Sequence, residues 1–219
     1  VTVGTAWQRV AAVLGPVLVV LGAIGVMVGV LQMLDAAGDV LEEVAVPVRL
    51  TTSDGLGADL ALDVGGEPFD GVRVSGVPAG GAPDTDPRSD PLGIVVIHAP
   101  DASLGERFLS RADVLVRGAA VLVAAVALLP LLRAIARTAE LGADAGRRLR
   151  VVALCVIVGG YVAPLLPWWA TASVLGRLDG VHGMSAAPPH HLQAFVVAAL
   201  VGLLAALLDG RDQAAAETA

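Results

Sequence analysis

The sequence predicts an α-helical integral membrane protein with four transmembrane helices and a small β-rich extracytoplasmic domain between helices one and two. Three observations predict it: four long apolar runs, an uneven distribution of arginine between the connections, and alternating valines in the one long connection. The chain has 219 residues, 56% of them hydrophobic. A soluble domain usually lies nearer 45–50% apolar. Aromatic residues make up only 3%, so the apolar content is Ala, Val, Leu and Gly.

A helix rises about 1.5 Å per residue, so about 20 apolar residues cross a hydrocarbon core roughly 30 Å thick. The runs fall at 10–34, at 114–132 within a span 112–132, at 151–172 and at 192–208. The first and third exceed the required length, and the other two approach it. The first run is longer than the apolar core of a secretory signal peptide, and Gln32-Met33-Leu34-Asp35 has no Ala-x-Ala cleavage pattern. It reads as an uncleaved first helix after a short segment 1–9. Cys155, the single cysteine, lies inside the third run and reads as a small packing group.

Charge sets the expected topology. All 14 basic residues are arginine, which with the Ala/Val/Gly excess fits a GC-rich bacterium of actinobacterial type. The connection 133–150 carries Arg133, Arg137, Arg147, Arg148 and Arg150 against Glu140 and Asp144, while the connection 173–191 has only Arg177 beside Asp179. Short Arg-rich connections stay in the cytoplasm. The expectation is therefore a multi-pass protein of the plasma membrane with segment 1–9, connection 133–150 and tail 209–219 inside. The long segment 35–111 and the loop 173–191 then lie outside. Trp168 and Trp169 near the outer end of the third span match an interfacial aromatic belt.

Segment 35–111 is too long for a structureless connection. Val44, Val46, Val48 and Leu50 alternate, as do Leu60, Leu62 and Val64, then Val72 and Val74. Residues 93–97 form a short continuous apolar run. These read as strands of a small, mostly antiparallel sheet that folds without the spans. Residues 78–91, rich in Pro, Gly and Asp, read as a mobile loop. Ser103-Leu104-Gly105-Glu106 reads as a capping box opening the helix that becomes the second span. Arg117, about a turn inside that span, reads as a snorkelling side chain.

Gly15, Gly22 and Gly29 recur every seven residues, and Ala198, Gly202 and Ala206 every four. Small residues in rows let helix backbones approach in lipid. Pro164 and Pro167 are expected to loosen the outer third of the third span.

The search for chemistry excludes more than it finds. The middles of the spans hold no Asp, Glu, His, Lys or Arg, which argues against a pump or proton-coupled transporter. No phosphate-cradling loop, Gly-x-Ser-x-Gly elbow, His-Glu-x-x-His or Cys-x-x-Cys is present. His98, His182, His190 and His191 fall outside and read as surface residues. Asp84, Asp86 and Asp90 lack EF-hand spacing. Segment 35–111 holds 14 acidic residues against 5 arginines, a formal −9, which suits a cationic partner. No cofactor, no metal and no direct nucleic-acid binding is expected. Beyond the lipid bilayer, Arg133, Arg137, Arg147, Arg148 and Arg150 form the candidate contact for a partner or for anionic headgroups.

Arg148-Leu149-Arg150 before the third helix, preceded by Leu131-Leu132-Arg133, resembles the layout of a family of uncharacterised bacterial four-helix membrane proteins catalogued as a domain of unknown function. Members have a long outer segment after the first helix. Where they carry a Pro-Phe and an Asn before the motif, this chain has Gly142-Ala143-Asp144-Ala145, and it ends the fourth helix with Leu208-Asp209-Gly210-Arg211. The resemblance implies no established activity. Some members are encoded beside a small helix-turn-helix regulator, which implies a regulatory partner. The functional expectation is a non-enzymatic bacterial inner-membrane protein acting through partner binding. The alternative is an accessory or structural subunit of a transporter complex. The sequence implies no particular ligand or oligomeric state.

Overall fold

The computed structural model describes residues 3–38, 43–50, 73–75, 94–137, 142, 144–178, 184–186 and 192–217. Its elements are α1 (Val3–Gly38), β1 (Val44–Leu50), β2 (Arg73–Ser75), β3 (Ile94–Ala99) and α2 (Leu104–Ala136). There follow α3 (Ala145–Ile157), a π-helical turn (Val158–Val162), α4 (Ala163–Arg177), β4 (Met184–Ser185) and α5 (Gln193–Glu217). Four helical stretches are long and apolar enough to cross a membrane: Trp7–Gly38, Leu104–Ala136, Ala145–Arg177 and Gln193–Gly210. Only 11–22% of their most apolar windows is buried by protein, so most of each apolar surface needs another apolar medium. This is the mark of a multi-pass membrane protein. The expected strand 60–64 and loop 78–91 lie outside the described residues.

The chain divides into two compact units. The first comprises Val1–Val30, Val114–Pro164 and His190–Ala219. In it α1 and α2 run antiparallel and touch through glycine. A Cβ added at Gly22 would sit 2.6 Å from the Leu122 backbone, and one at Gly29 2.4 Å from that of Leu115. At Gly15 it would meet the Leu129 side chain at 2.7 Å. The seven-residue glycine row is thus a contact face. Gly118 completes it from α2, since its own Cβ would lie 2.4 Å from the Gly25 carbonyl carbon. Lipid tails are as apolar as leucine, so this close van der Waals approach is what holds such helices together.

Helix α5 packs antiparallel along α3. A Cβ at Gly146 would meet the Ala205 carbonyl oxygen at 3.0 Å, and one at Gly160 would meet the Ala194 side chain at 2.8 Å. The face α5 buries is Ala194, Ala198 and Ala205, not the expected row of Ala198, Gly202 and Ala206. Ala206 is exposed, and a Cβ at Gly202 would touch nothing. The contact follows the helical turn of α5 rather than a strict four-residue spacing. Tyr161 and Phe195 add a tilted aromatic contact, with ring centroids 4.7 Å apart.

The prolines act upstream of their expected place. Pro164 and Pro167 have no N–H, and their rings crowd the preceding turn. That turn is π-helical, and Ala163 N–H bonds back to the Val158 carbonyl. The wider turn absorbs the misfit before the prolines, and α4 then continues to Arg177.

The second unit comprises Leu31–Asp113 and Leu165–Pro189. Its sheet has the order β2-β3-β1-β4. β1 pairs antiparallel with β3, placing Val44 opposite Ala99 and Val46 opposite Ile97. The alternation in β1 is a one-sided burial pattern: Val44, Val46 and Val48 are at most 3% exposed, each worth about 2 kcal/mol of transfer free energy. They share a core with Ile97, Ala99, Ala102, Ala170, Val174 and Leu175. β4 covers β1 only at Arg49 and Leu50, so at Pro47 the absent N–H leaves no ladder partner stranded on that side. Its carbonyl lies 3.2 Å from the Thr171 hydroxyl, whose single proton it shares with the Pro167 carbonyl at 2.9 Å. Trp168, expected in an interfacial belt, donates its indole N–H to the Ala186 carbonyl at 3.1 Å.

This core revises one expectation. Segment 35–110 lacks Ala170, Val174, Leu175 and β4, so its sheet has no floor without the end of α4.

The capping box forms as read. Ser103 N–H donates to Glu106 Oε2 at 2.9 Å, and Glu106 N–H donates to Ser103 Oγ at 3.2 Å. Glu106, only 4% exposed, also accepts from the Ser173 hydroxyl at 3.0 Å and lies 3.6 Å from Arg177 Nε. It thereby ties the start of α2 to the end of α4. Asp35 and Arg111 form a further pair between α1 and α2. Before the box, Asp101 takes the left-handed conformation (φ 53°), which Asp tolerates better than most residues.

Glu106 precedes the apolar stretch of α2. Burial alone would raise its carboxyl, but the Ser103 amide, the Ser173 and Ser103 hydroxyls and the Arg177 charge outweigh this and hold it below the usual 4.5. A depressed folded value stabilises the fold above the unfolded pKa, and that contribution is lost as pH falls through the folded one. Glu106→Gln should therefore cost about 1–2 kcal/mol at neutral pH. The difference from wild type should shrink below about pH 4. Parallel melts of the two proteins across pH check this.

Gly29→Ala should destabilise by about 1–3 kcal/mol, because α1 and α2 must separate. Gly38→Ala, where a Cβ meets nothing, should be neutral or slightly stabilising. Tryptophan-fluorescence melts in mild detergent measure both.

Candidate functional site: the Arg-rich connection

The five candidate arginines lie at the end of α2, at the residue after it and at the start of α3, in the first unit. Arg133 sits in the last turn of α2, and Arg137 N–H bonds back to the Arg133 carbonyl at 3.1 Å. Both are exposed. Residues 138–141 and 143 lie outside the described residues. The chain re-enters helix after Asp144, where Ala145 N–H reaches the Gly142 carbonyl at 2.9 Å and Arg148 N–H the Asp144 carbonyl at 3.0 Å. The Asp144 side chain makes no capping hydrogen bond. Its carboxylate still sits at a helix N-terminus, where negative charge is favoured.

The structure splits the cluster into three groups. Arg150 Nη2 donates to Asp209 Oδ2 of α5 at 2.8 Å, so this arginine serves helix pairing. Gly146 makes the pairing possible. A Cβ there would fall 1.8 Å from Asp209 Oδ1, so any side chain would displace the carboxylate. Arg147 and Arg148 instead line a cavity of about 270 Å³ with Ala127, Asp144 and Val151. Among the described residues neither is in an ion pair. Two adjacent guanidiniums at one hollow make a cationic recess with forked donors, suited to carboxylate or phosphate oxygens. Arg133 and Arg137 do not line it.

No family model, curated protein or solved structure matches this chain. The site therefore rests on its own geometry.

Sequence reading did not single out Asp209 as the partner of Arg150. A clue lies in its position, at the end of the fourth apolar run as Arg150 is at the start of the third. Antiparallel neighbours place those two ends together. No group of three His, Cys, Asp or Glu side chains among the described residues could hold a metal ion. His98 Nδ1 lies 3.4 Å from Glu43 Oε1, whereas His182, His190 and His191 lie outside the described residues.

The Arg150–Asp209 pair is partly exposed, with side chains 64% and 34% accessible, so a double-mutant cycle of Arg150→Gln and Asp209→Asn should give a coupling of only about 0.2–1 kcal/mol. Gly146→Ala should remove most of that coupling, because it displaces Asp209. Thermal melts of the set measure each term.

Proposed function

We propose that this chain is a non-enzymatic bacterial plasma-membrane protein that works by binding partners, with the Arg147–Arg148 recess as its cytoplasmic docking point. The observation that carries this reading is the division of labour in the cluster. Arg150 is engaged with Asp209, while Arg147 and Arg148 face a hollow with donors to spare.

The proposed topology places both termini and the recess inside, following the contrast between connections 133–150 and 173–191. The sheet-bearing unit then faces outward, and its acidic segment offers a second surface to cationic groups. The resemblance in layout to the four-helix family, some of whose members are encoded beside a regulator, favours a regulatory partner at the inner face.

Two measurements test this proposal. Single-cysteine labelling in a Cys155→Ser background should reach positions 84 and 185 from outside intact cells, but not position 142. Labelling at 142 from outside would reverse the topology. A photo-crosslinker at position 147 should capture one cytoplasmic protein in native membranes. Arg148→Lys should reduce that capture several-fold, because lysine lacks the forked geometry. Crosslinks to lipid alone would remove the docking reading.

A further inference from the structure

We propose that a groove in the first unit, bounded by α2, the π-helical turn and α5, binds an anionic phospholipid from the bilayer. This is independent of the Arg147–Arg148 recess. Two hollows define it. One, of about 370 Å³, is lined in part by Arg117, Gly159, Gly160, Gln193 and Val197. The other, of about 280 Å³, is lined in part by Arg117, Val121, Ala124, Cys155 and Val156. They share Arg117, Val156, Gly159 and Gly160, so they are arms of one groove.

The π-helical turn creates the space. Gly159 and Gly160 put no side chain into it, and the walls close only where small residues meet. A Cβ at Gly159 would lie 3.2 Å from the Ala120 Cβ, and one at Gly160 2.8 Å from the Ala194 Cβ. Beside those contacts the groove stays open. Val121 and Val197, on opposite walls, are 41% and 47% exposed, so it opens at the helix surface, where a membrane-embedded helix meets lipid.

The groove is chemically asymmetric. Arg117 and Gln193 supply its polar groups, and the arm toward Val121, Ala124 and Cys155 is apolar apart from Arg117. Water fills a cavity stably only where it finds several polar partners, and the apolar arm has too few. A hydrocarbon chain suits it. At the polar end, Arg117 carries a charge on a spanning helix, where charge is costly, and its planar guanidinium presents five N–H donors in a fork to the groove it lines. Phosphate is the forked acceptor that the bilayer itself supplies at the level of its headgroups. An occupant anionic at one end and aliphatic at the other is a phospholipid such as phosphatidylglycerol.

The test uses the full chain in mild detergent and counts retained adducts by native mass spectrometry. The probes are phosphatidylglycerol, phosphatidylcholine with the same acyl chains, and glycerol phosphate as the headgroup alone. Wild type should retain phosphatidylglycerol over phosphatidylcholine by about fivefold or more, the scale of one charge-assisted contact. Glycerol phosphate should not be retained. Arg117→Gln should abolish the preference and Arg117→Lys keep part of it, while Arg9→Gln, which removes an arginine elsewhere, should leave it intact. Val156→Trp should expel the lipid by filling the apolar arm with every charge in place, and it decides the matter should Arg117→Gln not fold. Equal retention of the two lipids, retention of glycerol phosphate alone, or undiminished phosphatidylglycerol in Val156→Trp overturns the proposal.

Discussion

The end of α4 is the surface on which the sheet-bearing unit depends. Inside a bilayer, burying apolar side chains against one another gains little, because lipid is already apolar. A small sheet is different, since it needs an apolar face buried against other elements to be stable. β1 does this with Val44, Val46 and Val48, and their floor is Ala170, Val174 and Leu175. Thr171 and Glu106 then supply the directional bonds, one to the Pro47 carbonyl and the other to Ser103 and Ser173. A helix that sequence hydropathy treats as a membrane span is, over its last three turns, the core of a folded unit.

The first unit obeys the other rule. Its helices meet where side chains are missing: Gly22, Gly25 and Gly29 against α2, and Gly146 and Gly160 against α5. Close backbone approach replaces hydrophobic drive. Gly159 and Gly160 of the π-helical turn also line the groove beside it.

Much of this was legible in the sequence, and the reasons are local. The spans are set by length and composition. β1 follows from its alternating valines, β3 from a continuous apolar run, and the start of α2 from the Ser103–Glu106 spacing. The seven-residue glycine row on α1 marked a real contact face. What was hidden depends on distant parts of the chain. β4 is two residues long and has no period, and it exists only because β1 offers an edge. The burial of Ala170 and Val174 beneath a sheet looks, in one dimension, like the burial of any span residue in lipid. Gly118 belongs to no row of small residues that the sequence marks and becomes meaningful only opposite Gly25. The partition of the arginine cluster required knowing that Asp209 returns to Arg150, which no spacing within the connection reveals.

The dependence of the sheet on α4 is tested most directly by amide hydrogen exchange on the full chain in lipid nanodiscs, comparing wild type with Val174→Asp. A buried carboxylate without a partner costs several kcal/mol and should remove the floor of the sheet. The account predicts that protection in β1 and β3 collapses, while α3 and α5 of the first unit remain protected. Undiminished protection of β1 and β3 in Val174→Asp would contradict it, because the sheet would then stand without α4.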